Sequence, residues 1–190
     1  MTVAIEFLHP LKGEVPPPTE RQSERLAGLA ACLRSARSLD EAFDLLATEL
    51  AKDLPFDRLG LAAVTDRGQT VTALRVHSRH ALSWGSGESR PLLGSSLEPM
   101  IREHAVRIIH DLKGYQALRP SSLSTKRLIE EGMRSSLALP LYRNALPIGI
   151  LFLTSVEPEA YQAEQAGLLA ALSPALDQAF GRLLTGPSLA

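Results

Sequence analysis

Cysteine, aromatic side chains and net charge are all scarce in this chain, and each scarcity closes off a class of function. Cys32 is the only cysteine in 190 residues, which excludes an internal disulfide and any multi-thiolate metal site. Aromatic residues make up 5 % of the chain, with Trp84 the single tryptophan, and that leaves little to line a haem pocket. The formal net charge is −1, so no bulk electrostatic argument favours direct contact with nucleic acid or a membrane. The opening MTVAIEFLHPLKGEVPPP has no basic segment followed by an apolar one, so it does not read as a signal peptide. No run of about 18 apolar residues is present to span a bilayer. These absences together point to the cytoplasm.

Catalytic and metal-binding signatures are missing too. No nucleophile elbow, P-loop or paired-carboxylate motif is found, and the expectation is that the chain is not an enzyme. His77 and His80 are three apart, which on a strand puts them on opposite faces, and His104 and His110 do not share a helix. Without a histidine and carboxylate cluster at ligand spacing, no metal site is expected.

Hydrophobic residues make up 45 % and charged residues 22 %, ample for one core in one domain. Charge is segregated: from Arg67 to Arg134 there are 11 Lys/Arg against 6 Asp/Glu, whereas the remainder has 9 against 15. That excess of cations fits either an anionic ligand or solvated loop arginines.

Residues 1–19 read as an irregular lead-in ended by Pro16-Pro17-Pro18. Thr19 then caps a helix from Glu20 to about Arg37, with Leu26, Leu29 and Leu33 on one face. Ser38 and Glu41 form a capping-box pattern for a second helix, Leu39 to Leu54. A hairpin follows, Arg58 to Thr65 and Val71 to His77, about the turn Asp66-Arg67-Gly68. Ser78 to Gly94 is a long loop with room for a short strand, and Ser95-Ser96 opens a helix through His104. Val106 to Ile109 is a short strand, Gly114 to Ser122 is loop, and Ser124 to Glu131 is a helix ended by Gly132. The closing stretch, EGMRSSLALPLYRNALPIGILFLTSVEPEAY, reads as two apolar strands, Ser135 to Tyr142 and Ile148 to Ser155, joined at Arg143-Asn144. The second strand carries no charge from Pro147 to Val156, as expected of a strand buried on both faces at the centre of a sheet. A last helix runs from about Ala160 to Leu184, with Pro174 predicting a kink or a break.

Three stretches in this order, LDEAFDLLATELAKDLPFDRLGLAAVTDRGQTV, GSSLEPMIREHAVRIIHDL and the closing hairpin, resemble the GAF domain family over about Leu39 to Phe180. The resemblance implies an α+β fold: an antiparallel sheet with the N- and C-terminal helices packed on one face and ligand-pocket loops on the other. It places a single domain at 20–185, with its core at about 39–180, and a tail at 186–190. It also implies a regulatory, small-molecule-binding sensory domain that signals through its terminal helices, in bacterial signal transduction or transcription control. The alternative is a dimerisation or protein-interaction module whose pocket is vestigial and filled by side chains.

Candidate ligand-binding residues under the resemblance are His77, Trp84, Met100, Ile109, Asp111, Tyr115, Arg134 and Ser135. Trp84 reads either as a ligand-stacking ring or as a lid over the core. Asp111 either orients a ligand or caps the following turn. Arg134 either pairs with a ligand anion or with Glu130 or Glu131. The ligand itself is unknown. The tetrapyrrole-attaching branch needs a mid-domain cysteine and Cys32 lies on the first helix, so covalent attachment of a tetrapyrrole is not expected; nor is axial ligation of haem. The cysteines of the methionine-sulfoxide-reducing branch and the Asn-Lys…Phe…Asp-Glu set of the cyclic-nucleotide branch are also absent. Finally, Leu168, Leu172, Leu176 and Phe180 recur at i+4 on the last helix. With Leu26, Leu29 and Leu33 they read either as a homodimer interface or as cover for the chain's own sheet.

Overall fold

Side chains on the long strands alternate between two different surroundings, and this alternation organises the molecule. The computed structural model describes residues 4–80 and 86–184. Among these residues there are seven strands: β1 (Ile5–Leu8), β2 (Arg58–Thr65), β3 (Thr70–Ser78), β4 (Ser89–Pro91), β5 (Val106–Ile109), β6 (Ser135–Arg143) and β7 (Leu146–Ser155). The α-helices are α1 (Glu20–Ser35), α2 (Leu39–Leu50), α3 (Leu97–Arg102), α4 (Leu112–Leu118), α5 (Leu123–Glu130) and α6 (Ala163–Leu183). The strands form one antiparallel sheet in the order β1-β5-β6-β7-β2-β3-β4. The uncharged β7 is its middle strand, as its composition demands.

On one face Leu59, Leu61, Val106, Ile108, Leu137, Leu139, Leu141, Leu151 and Leu153 meet α1, α2 and α6 in the main core. On the other, Ala62, Ala138 and Ile150 join Val71, Leu92, Met100 and Ile101 in a smaller cluster. Helix starts follow local chemistry. Thr19 and Gln22 make a full capping box on α1. Ser38 accepts the Glu41 N–H at 3.1 Å to start α2, but the Glu41 carboxylate reaches back to Arg37 N at 2.7 Å rather than to the cap residue.

Several expectations are corrected. Residues 1–19 are not wholly irregular, because Ile5–Leu8 forms β1 along β5, with Phe7 opposite Arg107. The stretch after Asp111 is helical over Leu112–Leu118 despite Gly114: Asp111 accepts the Lys113 N–H at 3.2 Å as N-cap, and Leu112 and Tyr115 bury the inner face. The β6–β7 turn is Asn144-Ala145, both at positive φ (52° and 62°), one residue later than expected. Of the two readings of Pro174, a kink or a break, the break is overturned, because α6 is continuous over Ala163–Leu183. The dimer interface drawn through Leu26, Leu29, Leu33, Leu168, Leu172, Leu176 and Phe180 lies inside the protomer, where these side chains are 0–7 % exposed. Each gains about 2 kcal/mol from burial within its own chain, so none offers apolar surface to a second copy.

Candidate functional site

Above the sheet face opposite α1, α2 and α6 lies a cavity of about 340 Å³. Its floor comes from the alternate residues of five strands, and their register sets them in rows across the sheet. One row runs Ile109, Ser136, Thr154, Arg58; the next runs Arg107, Ala138, Phe152, Gly60; a third includes Ile150, Ala62 and Ala73. Most of these positions line the cavity. The cover is built by β4, the 93–97 turn, Leu112 and Tyr115 of α4, and residues 119–125 with Leu128 leading through α5. Described residues of the two loop regions read from the sequence, 90–94 and 119–122, therefore contribute to the roof, and Leu93 and Leu123 stand exposed at its rim.

The charge of the lining is one-sided. Among its described residues are Arg58, Arg75, Arg90, Arg107 and Arg119, and no carboxylate. Three of these arginines meet acids from outside the lining: Arg58 faces Glu131 at 3.3 Å, Arg90 faces Glu88 at 3.0 Å, and Arg75 pairs with Asp40. Arg119 is exposed at the C-terminal end of α4.

Arg107 differs from all of them. It is 6 % exposed, its Nη1 donates to Ser96 Oγ at 2.7 Å, and its Nη2 donates to Ser136 Oγ at 3.3 Å. Its Nε–H has no acceptor among the described residues. Burial pulls the guanidinium down to about 10, with Tyr115 acting in the opposite direction, so it stays protonated at neutral pH. Removing an ion from water costs several kcal/mol even after relaxation, and two neutral hydroxyls do not neutralise it. Thr154 Oγ1, also buried and on the same floor, has no hydrogen-bond partner among the described residues either.

Of the residues expected to bind ligand, Ile109 and Tyr115 line the cavity. Met100 is fully buried in the smaller cluster and does not line it. His77 stands opposite Leu59, so its side chain lies on the helical face of the sheet, where it is exposed. Asp111 and Arg134 pair with each other, Arg134 Nη2 donating to Oδ1 at 3.0 Å, and neither lines the cavity. Ser135 points away from Ser136 across β6 and donates to the Glu157 carbonyl at 2.7 Å. Trp84 lies outside the described residues. The sequence reading missed Arg107, Ser136 and Thr154. A lone arginine in the otherwise apolar VRII of β5 was the available signal, since arginine is almost never fully buried unless paired.

A family model described as the GAF domain matches residues 36–180. The chain belongs to the GAF domain family. Solved structures repeat the fold at 15–18 % identity, a likeness of fold alone. The GAF domain of a two-component sensor histidine kinase from Bacillus halodurans is 18 % identical with a TM-score of 0.65, over 77 % of this chain and 95 % of that one. The GAF domain of an Acinetobacter phosphoenolpyruvate-protein phosphotransferase is 15 % identical with a TM-score of 0.67, over 86 % and 95 %. A phycoerythrobilin-bound GAF domain from a cyanobacterial phytochrome is 16 % identical with a TM-score of 0.63, over 85 % and 97 %. No curated protein matches the sequence. In this GAF domain Cys32 is exposed on α1, across the sheet from the cavity. Among the described residues no cluster of three His, Cys, Asp or Glu is placed to hold a metal ion. Also among them, no helix is long and apolar enough to cross a membrane.

Proposed function

We propose that this GAF domain is a cytoplasmic regulatory sensor that binds a small molecule over its sheet and signals through its terminal helices, in bacterial signal transduction or transcription control. It acts as a binding domain, not as an enzyme. The observation that carries the reading is the cavity itself. At about 340 Å³ it falls at the lower end of the range for ligand sites, about 300–1,000 Å³. A vestigial pocket filled by side chains, the rival reading, would leave no such space. Helix α6 packs on the far side of the same sheet and α1 packs on α6, so a change in strand packing on binding has a route to α6 and through it to α1. Any pairing of two copies uses the outer faces of these helices, because the inner faces are spent in the core.

The test is native mass spectrometry of the protein purified from the cells that make it, followed by denaturation to release what it holds. A stoichiometric small molecule that is lost in Ala62→Leu, which fills the cavity floor, supports the reading. A molecule retained equally by that variant moves the site elsewhere on the protein. A protein that carries nothing and runs at twice the monomer mass favours the interaction module.

A further inference from the structure

We infer that the ligand is a small organic carboxylate, its one anionic group held by Arg107 and its compact apolar body lying along Phe152. This rests on the small-molecule reading above and gives it a chemical class. Arg107 lies on β5 between Val106 and Ile108, both fully buried in the helical core, so register alone turns its side chain to the cavity. Once there it spends two N–H groups on the neutral hydroxyls of Ser96 and Ser136, and its Nε–H has no acceptor among the described residues. Hydroxyls hold and aim a guanidinium; they supply no countercharge. The acids near the cavity are already placed against Arg58, Arg75 and Arg90. A buried cation left in this state is matched by an anion that arrives from solution, and the planar fork of arginine fits a carboxylate with two parallel hydrogen bonds.

Phosphate fits less well. A dianion calls for a second free cation or a cradle of backbone N–H groups at the same point. The other buried arginine of the floor, Arg58, lies three strands away on β2 and faces Glu131, and Arg119 stands exposed at the end of α4 rather than on the floor. The rest of the floor, Ala62, Ala73 and Phe152, and Leu128 above it, is apolar and suits a hydrocarbon or aromatic body. Thr154 Oγ1, without a partner among the described residues, adds one hydroxyl beside Ser136.

The experiment uses the full chain and matched probes: benzoate, phenylacetate, 4-methylpentanoate and hexanoate, each beside its carboxamide, together with phenyl phosphate and neutral benzene. Binding is read by calorimetry and by ligand-observed NMR. At least one carboxylate is expected to bind, with its amide at least about tenfold weaker, the loss of one charge-assisted hydrogen bond. Arg107→Met is expected to remove that difference and Arg107→Lys to restore part of it, with urea midpoints reporting folding for each. The acid–amide comparison needs no variant, so it stands even where Arg107→Met fails to fold. Equal binding of acid and amide, or tighter binding of phenyl phosphate, overturns the carboxylate assignment and leaves a small-molecule cavity. Binding by none of the probes, benzene included, overturns the assignment and counts against the cavity reading as well.

Discussion

Glu131→Gln keeps the shape of a buried side chain and removes one charge, and the structure sets the cost. Glu131 Oε2 lies 3.3 Å from Arg58 Nε, and the two side chains are 2 % and 4 % exposed. Burial pushes the Arg58 guanidinium down and the charge of Glu131 pushes it back up. At an effective dielectric of about 20, unit charges at that separation attract by about 5 kcal/mol. The glutamine dipole keeps part of this, and breaking a buried pair costs about 3–5 kcal/mol, so a loss of about 3 kcal/mol is expected in urea unfolding. The pair also ties β2 to the residue that ends α5, so hydrogen exchange in α5 should quicken before that of β7. The cycle is completed with Arg58→Met and the double variant Arg58→Met/Glu131→Met. The double variant should lose less than Glu131→Gln alone, because an apolar pair of similar volume replaces a buried ion pair at little cost. A Glu131→Gln loss below 1 kcal/mol, or a double variant as unstable as the sum of the single ones, would refute the reasoning.

Three further outcomes are expected. Ala145→Gly should stabilise the fold by about 1 kcal/mol in urea, because Ala145 holds φ 62° in a two-residue hairpin turn whose geometry favours glycine. A neutral or destabilising result would contradict that. Leu176→Glu, at a position 0 % exposed in the α6–sheet core, should lose more than about 4 kcal/mol and unfold; a folded variant with altered mass by sedimentation would show that Leu176 is an intermolecular contact after all. Burial raises the Asp177 carboxyl, opposed by the Tyr142 N–H it accepts at 2.8 Å and by His104. Its ionisation therefore weakens the fold progressively as pH rises from the unfolded value, about 3.9, through the raised folded one. Asp177→Asn should gain stability relative to the parent between pH 3 and pH 7, and a relative loss over that interval would reverse the sign.

What the sequence made legible was local. The β6–β7 hairpin announced itself by a charge-free run, and α1 and α2 by Thr19 and Ser38 at their starts. Strand β1 was invisible because IEFL has no local partner; it becomes a strand only when β5, about a hundred residues later, lies beside it. Gly114 hid α4, whose stability comes from the Asp111 cap and two buried side chains, not from propensity. The leucine stripe on α6 is plain in the sequence, but a stripe cannot say whether its cover is the same chain or another. In the sequence Arg107 is one cation of a basic region. Its meaning lies in register: four residues are too few to establish an alternation, and only pairing with β6 shows that it shares a face with Ser136.

The sheet ends on both sides in short strands, β1 with four residues and β4 with three. A sheet edge is an open template for backbone pairing with any passing strand, and short edges give such pairing little to hold. Removing residues 1–8 would bare the outer edge of β5, and the apolar segment Val106–Ile109 would then face neighbouring molecules along its unpaired N–H and C=O groups. Colloidal behaviour at high concentration therefore depends on four residues that are not part of the cavity lining, and any shortened version of the chain should retain them.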